Sequence, residues 1–477
     1  MKGKILTYIL VLLLAADVFY SFVQHYHMSL DGDFVFVVLP SDGCKRVLND
    51  PFGFGALKGE HYVNPNRYFA HASMYAYFNS VPIACQLISS PVDSLYLSCA
   101  FAKIAIQLFM LWLLCVYVTG SLKIKKRQFL ISAALITPLF QTWGFGRYLG
   151  IIDESISYTF FYALPLALLM LYFLPLYLSV VSKQSLKINP LTAILLVVLA
   201  IVIAFNGPLP SPVAIIISCL FICYTLWKLY KASLHVDFLS KAIESVKLFP
   251  KKILFFLCLI SLLATYSFYV GTFNTAWANE EITLIDRYLL LPKGLYHQIS
   301  DSIGTQLLIL MIGINCIILL IKRKSFEAKS LLNRLKWIII FSLIYILLMP
   351  LGGYRAYRPF IIRYDTFMPV NLCMIYFYGI STLYIITQYK LKLGYYAIII
   401  PFLVTFTWVD QNRQISNKCE KEALETLAQS SEKIVFIKQD CAIMYWRKIT
   451  NYNDSRYNTR YLKRMGIIAE EKYYYQK

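Results

Sequence analysis

The sequence predicts an all-α polytopic membrane protein, and three observations predict it. Charged residues make up 15 % of the 477 residues and hydrophobic ones 58 %, whereas a soluble globular chain carries about 25 % charged residues. The apolar residues gather into runs long enough to cross a hydrocarbon layer of about 30 Å. The Lys and Arg behind the net charge of +20 fall mostly in alternate connections between those runs, as the positive-inside bias requires. This composition argues against a soluble enzyme, a disordered chain and a disulfide scaffold. It also argues against a nucleic-acid partner, which the charge alone would suggest.

Taken in order, the elements support that class. The N-terminus opens M-K-G-K and runs apolar over about 5–23. No small-x-small cleavage site precedes the polar stretch 24–27, so this is an uncleaved first span with Lys2 and Lys4 on the cytoplasmic side. Further apolar runs begin near Tyr96, Phe129, Tyr158, Leu191, Val213, Ile253, Gln306, Trp337, Asn371 and Tyr395, giving about eleven spans. Two of them, 129–143 and 191–205, are short. Basic residues follow every second span: Lys123, Lys125, Lys126 and Arg127; Lys183 and Lys187; Lys228, Lys231, Lys241, Lys247, Lys251 and Lys252; Lys322, Arg323 and Lys324; Lys390 and Lys392. That alternation puts the N-terminus inside and the tail outside. It divides the chain into a transmembrane domain, 1–410, and a small extracytoplasmic domain, 411–477.

Between the first two spans lies a long outer segment, 24–95. Its apolar-aromatic stretches at 68–77 and 81–88 are too short to span. They suit helices lying along the membrane surface or packed into a compact cap. The tail holds 13 Lys/Arg and 8 Asp/Glu. Helical spacing at 420–429 and alternation at 433–437 make it a small α/β appendage. Cys419 and Cys441 both lie in it, where an oxidising compartment permits a disulfide between them. Of the eleven cysteines, Cys99, Cys115, Cys219, Cys223, Cys258, Cys316 and Cys373 sit in apolar runs and read as small core hydrophobes. No C-x-x-C occurs.

Four outer motifs carry candidate chemistry. S-L-D-G-D-F places Asp31 and Asp33 just beyond the first span, where a carboxylate can act as a general base or bind a metal; D-G is equally a turn signal. G-G-Y-R-A-Y-R-P-F-I-I-R-Y-D puts Arg355, Arg358 and Arg363 in a loop where the topology rule calls for few cations. Arg suits bidentate contact with phosphate, or it anchors at the interface. G-F-G-R-Y-L-G-I-I-D-E-S holds Arg147 with Asp153 and Glu154, a second acidic site or a solvated loop. In N-P-N-R-Y-F-A-H, Arg67 and His71 share a helix face. Two intramembrane charges stand apart: Asp17, which can hydrogen-bond within the bundle, and Lys103, which can snorkel outward. No P-loop, G-x-S-x-G, H-E-x-x-H or dinucleotide fingerprint occurs.

This layout resembles the glycosyltransferase C superfamily. A first span, an acidic D-x-D near the start of a long outer segment, surface helices, many spans, Arg-bearing outer loops and an outer C-terminal domain all belong to it. The resemblance implies transfer of a sugar from a polyprenyl-phosphate donor, by inverting displacement, to a glycan, lipid or protein acceptor. It implies a multi-pass membrane protein, here assigned to a bacterial inner membrane. Asp33 or Asp31 would match the family's catalytic acid and Asp153 or Glu154 its second acid. Arg355, Arg358 and Arg363, with Arg67 and Arg147, would contact phosphate. Some relatives use a divalent metal and others do not; Asp31 and Asp33 are the residues to hold one. The D-G-D here departs from the D-E or E-D of some branches. Two rival readings remain at this level: a polysaccharide polymerase or ligase, and a transporter or flippase of lipid-linked sugars.

Overall fold

The computed structural model describes residues 2–140, 149–186, 188–233, 237–276, 282–322, 325–355, 358–388, 394–409 and 416–477. Among the described residues, eight helices are long and apolar enough to cross a membrane: Lys4–Tyr26, Pro91–Thr119, Ile156–Ser182, Pro210–Ala232, Lys251–Gly271, Ile303–Ile321, Phe326–Gly352 and Tyr364–Gln388. Three shorter apolar helices, Arg127–Phe140, Pro190–Ala204 and Tyr396–Trp408, fall where three more spans were expected. All eleven apolar runs are therefore helical, but three fall short of the length that by itself requires a crossing.

Helix starts follow local chemistry. Ser90 caps the Pro91–Thr119 helix through the Asp93 amide, Asn189 caps through Thr192, Ser302 through Thr305 and Ser325 through Ala328. Each side-chain oxygen satisfies an amide that the first turn leaves open. Pro91 and Pro190 sit at first helical positions, where the missing N–H costs nothing. Pro91–Thr119 and Tyr364–Gln388 are the most deeply buried of the long helices and form the axis of the bundle.

Several polar groups inside the bundle are paired. The Thr137 hydroxyl donates to Asp17, 2.7 Å away, and Asn315 donates to Ser381 and Thr382 while accepting from Tyr395. In hydrocarbon such bonds hold helices together because water cannot replace them. Lys103 departs from expectation. It does not snorkel: it is 1 % exposed, and its Nζ donates to the Glu154 carbonyl and contacts Met28 Sδ at 3.2 Å. The cysteines split as well. Cys99 and Cys115 are core residues, whereas Cys219, Cys223 and Cys258 lie on the outside of the bundle.

The segment after the first helix folds as a compact cap. Its helices are Phe34–Val38, Asp42–Asn49, Phe54–Leu57, Tyr68–Phe78 and Val81–Cys85. Asp50 ties its middle together, accepting from the Phe54 and Gly55 amides and the Tyr62 hydroxyl. The tail packs onto this cap. It contains helices Lys418–Gln429 and Arg456–Arg464, and strands Ile434–Phe436 and Tyr473–Tyr475 paired in parallel. Cys419 and Cys441 are disulfide-bonded. Phe34, fully buried, stands edge-on to Phe78 at 4.8 Å and to Tyr461 of the tail at 5.3 Å.

Glu420 completes the joint. It is buried, and its carboxylate accepts from the Leu30 amide, the Tyr96 hydroxyl and the Met444 amide. One side chain thus links cap, bundle and appendage. Burial pushes its pKa up to about 7, against the pull of those three donors.

Two predictions follow from this joint. Phe34→Ala should cost about 3–5 kcal/mol and expose the tail to limited proteolysis; an unchanged digestion pattern would show that the aromatic cluster is not what holds it. Glu420 binds a proton more tightly folded than unfolded, so its contribution to stability falls as pH rises from about 4.5 to about 7. Melting curves in detergent should show that slope, and Glu420→Gln should flatten it.

Candidate functional site

The site is built where the D-G-D loop meets the start of the Ile156–Ser182 helix. Asp31 is 6 % exposed and its carboxylate is fully committed. Oδ1 accepts from the Asp33 and Phe34 amides and the Ser157 hydroxyl, and Oδ2 accepts from the Ser157 amide. It therefore serves as a clamp between loop and helix. Asp33 heads the Phe34–Val38 helix without capping it. Its half-buried carboxylate instead accepts from Trp446 Nε1, at 3.1 Å.

Trp446 comes from the tail and is 48 % exposed. Its ring lies 5.8 Å from that of Tyr158. Gly32 makes this docking possible. A Cβ there would stand 2.4 Å from Trp446 Cδ1 and 2.6 Å from the Trp446 amide nitrogen, so any side chain would push the tail away from Asp33. Sequence reading took D-G-D as a turn or an acid pair; it contained no signal that the glycine was clearance for a tryptophan more than 400 residues later.

The Ile156–Ser182 helix begins unusually. After Ile156–Tyr158 the chain makes a π-helical turn, Thr159–Ala163, before resuming as Leu164–Ser182. Pro165 lacks the N–H that would close onto the Phe161 carbonyl, which favours the wider turn. This turn carries Tyr158, Phe161 and Tyr162 toward the cations. Arg363 lies 4.9 Å from the Tyr158 ring, Arg67 lies 4.6 Å from the Phe161 ring, and Arg358 donates to the Tyr162 hydroxyl at 2.8 Å.

The arginines differ in their partners. Arg358 and Arg363 share the buried carboxylate of Asp365, so two cations face one anion. Arg67 has no carboxylate partner among the described residues, and its buried Nε makes no hydrogen bond there. It lies beside Gly207, in the break between two helices. His71, one turn along and 5.4 Å from Phe161, is buried and held neutral, its pKa lowered to about 3 by burial and by the Arg67 charge. Arg67 and His71 thus share a face, as their spacing predicted. Arg355 goes elsewhere: its Nη1 donates to the Ala276 carbonyl. Arg147 lies outside the described residues.

Asp153 is buried next to this site rather than open to it. It accepts from the Ser155 amide at 2.7 Å and faces the Tyr364 hydroxyl and Lys103. Burial raises its pKa to about 7. Glu154 is half-buried and lends its carbonyl to Lys103. The expected second acid is thus an internal strut, one turn from Ser157.

The electrostatics of Asp33 follow from these neighbours. Burial and the adjacent Asp31 charge push its pKa up to about 6, against the Trp446 hydrogen bond and the Arg67 and Arg363 charges. At neutral pH it is an ionised carboxylate of raised basicity, facing cations on two elements. No group of three His, Cys, Asp or Glu side chains among the described residues is arranged to hold a metal ion. Asp31, the other candidate ligand, has already spent its oxygens on Ser157 and two amides.

The chain matches no protein-family model, no curated protein and no solved structure. Its chemistry is therefore read from the site. One carboxylate of raised pKa, one guanidinium in no ion pair among the described residues, a two-arginine pair and a half-exposed indole meet at one end of an apolar bundle. This set can take a proton from a hydroxyl and bind an anionic group beside it.

Asp31→Asn should destabilise the protein by about 1–3 kcal/mol, because an amide N–H₂ would face the Ser157 amide and leave buried donors unmet; a melting temperature unchanged from wild type would show that the clamp is dispensable. Gly32→Ala should leave the bundle folded but free the indole, read as loss of protection of Trp446 from oxidative footprinting.

Proposed function

We propose that the protein is an integral membrane glycosyltransferase that uses a sugar carried on a lipid phosphate. The observation that carries this reading is Asp33: a half-buried carboxylate, its pKa raised to about 6, set among Arg67, Arg363 and the Trp446 indole. The resemblance in layout to the glycosyltransferase C superfamily supports the same reading. In this reading all eleven apolar helices cross or enter the membrane. The N-terminus and the basic loops are cytoplasmic, the site and the tail are extracytoplasmic, and the membrane is a bacterial inner membrane.

The step is a single displacement. The acceptor hydroxyl gives its proton to the Asp33 oxygen not engaged by Trp446, and its oxygen bonds to the anomeric carbon. The bond from that carbon to the phosphate oxygen breaks, and the electron pair leaves with the lipid phosphate. Inversion follows. Negative charge grows on the phosphate, and cations fixed in advance in a site with little water stabilise it there. Arg67 suits that task best, since it makes no ion pair with a carboxylate among the described residues. Arg363 assists, partly offset by Asp365. The indole of Trp446 and the Tyr158 ring offer apolar faces to a pyranose beside the base. Asp31 positions Asp33 and takes no proton. The acceptor is a glycan, lipid or protein hydroxyl.

Asp33→Asn should leave the protein in the membrane and reduce sugar transfer by about 10²-fold or more. Wild-type kcat/KM should fall with unit slope below about pH 6, as Asp33 protonates. Arg67→Ala should raise the apparent KM for the lipid-phosphate donor at least about tenfold. Transfer assays with a polyprenyl-phosphate sugar in detergent or vesicles test all three. Full activity in Asp33→Asn would overturn the reading.

A further inference from the structure

A second charged feature lies at the other end of the molecule. The Ile156–Ser182 helix has 27 residues, about 40 Å at 1.5 Å per residue. Its first turn carries Tyr158 beside Asp33, and its last turn borders a cleft of about 560 Å³. Lys183, Lys228, Lys251 and Lys252 line this cleft, and no carboxylate does among the described residues. They come from the ends of three helices: Lys183 just past Leu164–Ser182, Lys228 near the end of Pro210–Ala232, and Lys251 and Lys252 at the start of Lys251–Gly271.

Local structure turns these groups toward one another. Lys183 adopts a left-handed backbone, φ 55°, which reverses the chain so that the Gln184 amide returns to the Ser179 carbonyl and the Ser179 hydroxyl donates to the Gln184 carbonyl. The Lys251–Gly271 helix begins after Pro250 with no side-chain cap. Its first amides therefore add partial positive charge to the same cleft. Four ammonium groups around a cavity with no anion to balance them call for a ligand that supplies one.

An apolar crevice continues from the cleft. The two share Leu186 and Ile253, and the crevice, of about 20 Å³, is lined further by Leu176, Leu196 and Leu257. Pro175 interrupts the helix on its wall, and the Tyr172 hydroxyl, bonded to the Phe256 carbonyl, lies at its lining. A basic cleft continuous with an apolar groove is amphipathic in the manner of a lipid.

We propose that this cleft binds the phosphate headgroup of an anionic membrane lipid, with the start of an acyl chain in the crevice. Lysine suits this role because its ammonium is a compact charge on a flexible stem, able to follow a mobile headgroup. The site is separate from the Asp33 centre and does not depend on the activity proposed for it. Free phosphate shares the headgroup's chemistry but has nothing to place between Leu186 and Ile253.

Native mass spectrometry of the full chain, released from neutral detergent with added phosphatidylglycerol, phosphatidylcholine or inorganic phosphate, tests it. Phosphatidylglycerol should be retained over phosphatidylcholine. The variant K183Q/K228Q/K251Q/K252Q should lose that retention by about tenfold. A control removing four charges from another connection at the same end of the bundle, K123Q/K125Q/K126Q/R127Q, should change it by less than about twofold. Ile253→Trp keeps every lysine but fills the crevice. It should weaken phosphatidylglycerol and leave inorganic phosphate unaffected, so the test survives even if the fourfold variant fails to fold. Equal retention of the two lipids, or equal loss in the control, would overturn the site. Phosphate competing fully, with Ile253→Trp without effect, would overturn its assignment to a lipid.

Discussion

The site depends on what Asp31 does with its carboxylate. Four donors converge on it: two amides of its own loop, and the amide and hydroxyl of Ser157. A buried carboxylate without such partners would be too costly to keep ionised. With them it fixes the loop after the first helix to the first turn of another helix more than 120 residues later. Asp33 is two residues from the clamp and Tyr158 is one residue from it. The placing of Asp33 against the Tyr158 ring is set by this one carboxylate, and Asp33 need not also hold the fold.

The tail is part of that arrangement. Glu420 joins it to the cap and to Pro91–Thr119 through three hydrogen bonds. The disulfide joins Cys419, next to Glu420, to Cys441, five residues before Trp446. These two ties bring the indole onto Gly32 and within hydrogen-bonding distance of Asp33. The division into a transmembrane domain and a separate appendage describes the chain in sequence, but the candidate centre takes residues from both.

The two ends of the bundle use charge differently. At the Asp33 end, acids and arginines are buried or half-buried and interlocked, with Asp365 shared by two guanidiniums and Arg67 in no ion pair among the described residues. At the other end, the four lysines of the cleft are exposed, and no carboxylate lines that cleft among the described residues. Half-buried charges feel a low local dielectric and act strongly over short distances. Exposed lysines act on a nearby membrane surface and are screened within about 8 Å at physiological salt. The first pattern suits chemistry on a bound group, and the second suits retention of a mobile lipid.

Sequence alone determined the fold class, because apolar run length and the alternation of basic connections are local properties. It placed the eleven apolar runs, the short cap helices at 68–77 and 81–88 (the second ending earlier, at Cys85), one helix and one strand of the tail, and the Asp33, Arg67, Arg358 and Arg363 that meet at the site. It flagged two short runs, 129–143 and 191–205, while the structure adds Tyr396–Trp408 as a third short helix, and length by itself does not decide whether any of them crosses. Tertiary structure decided the roles within the motifs. Asp31 became the clamp and Asp33 the half-buried acid left outside it, because Ser157 happens to face only the first. Arg355 turned to a backbone carbonyl, Asp153 became internal, and Lys103 stayed buried, because each found a partner far away in the chain. Trp446 entered the site through a gap that only a glycine leaves. Such pairings depend on which surfaces meet after folding, and no spacing within a single stretch of sequence encodes them.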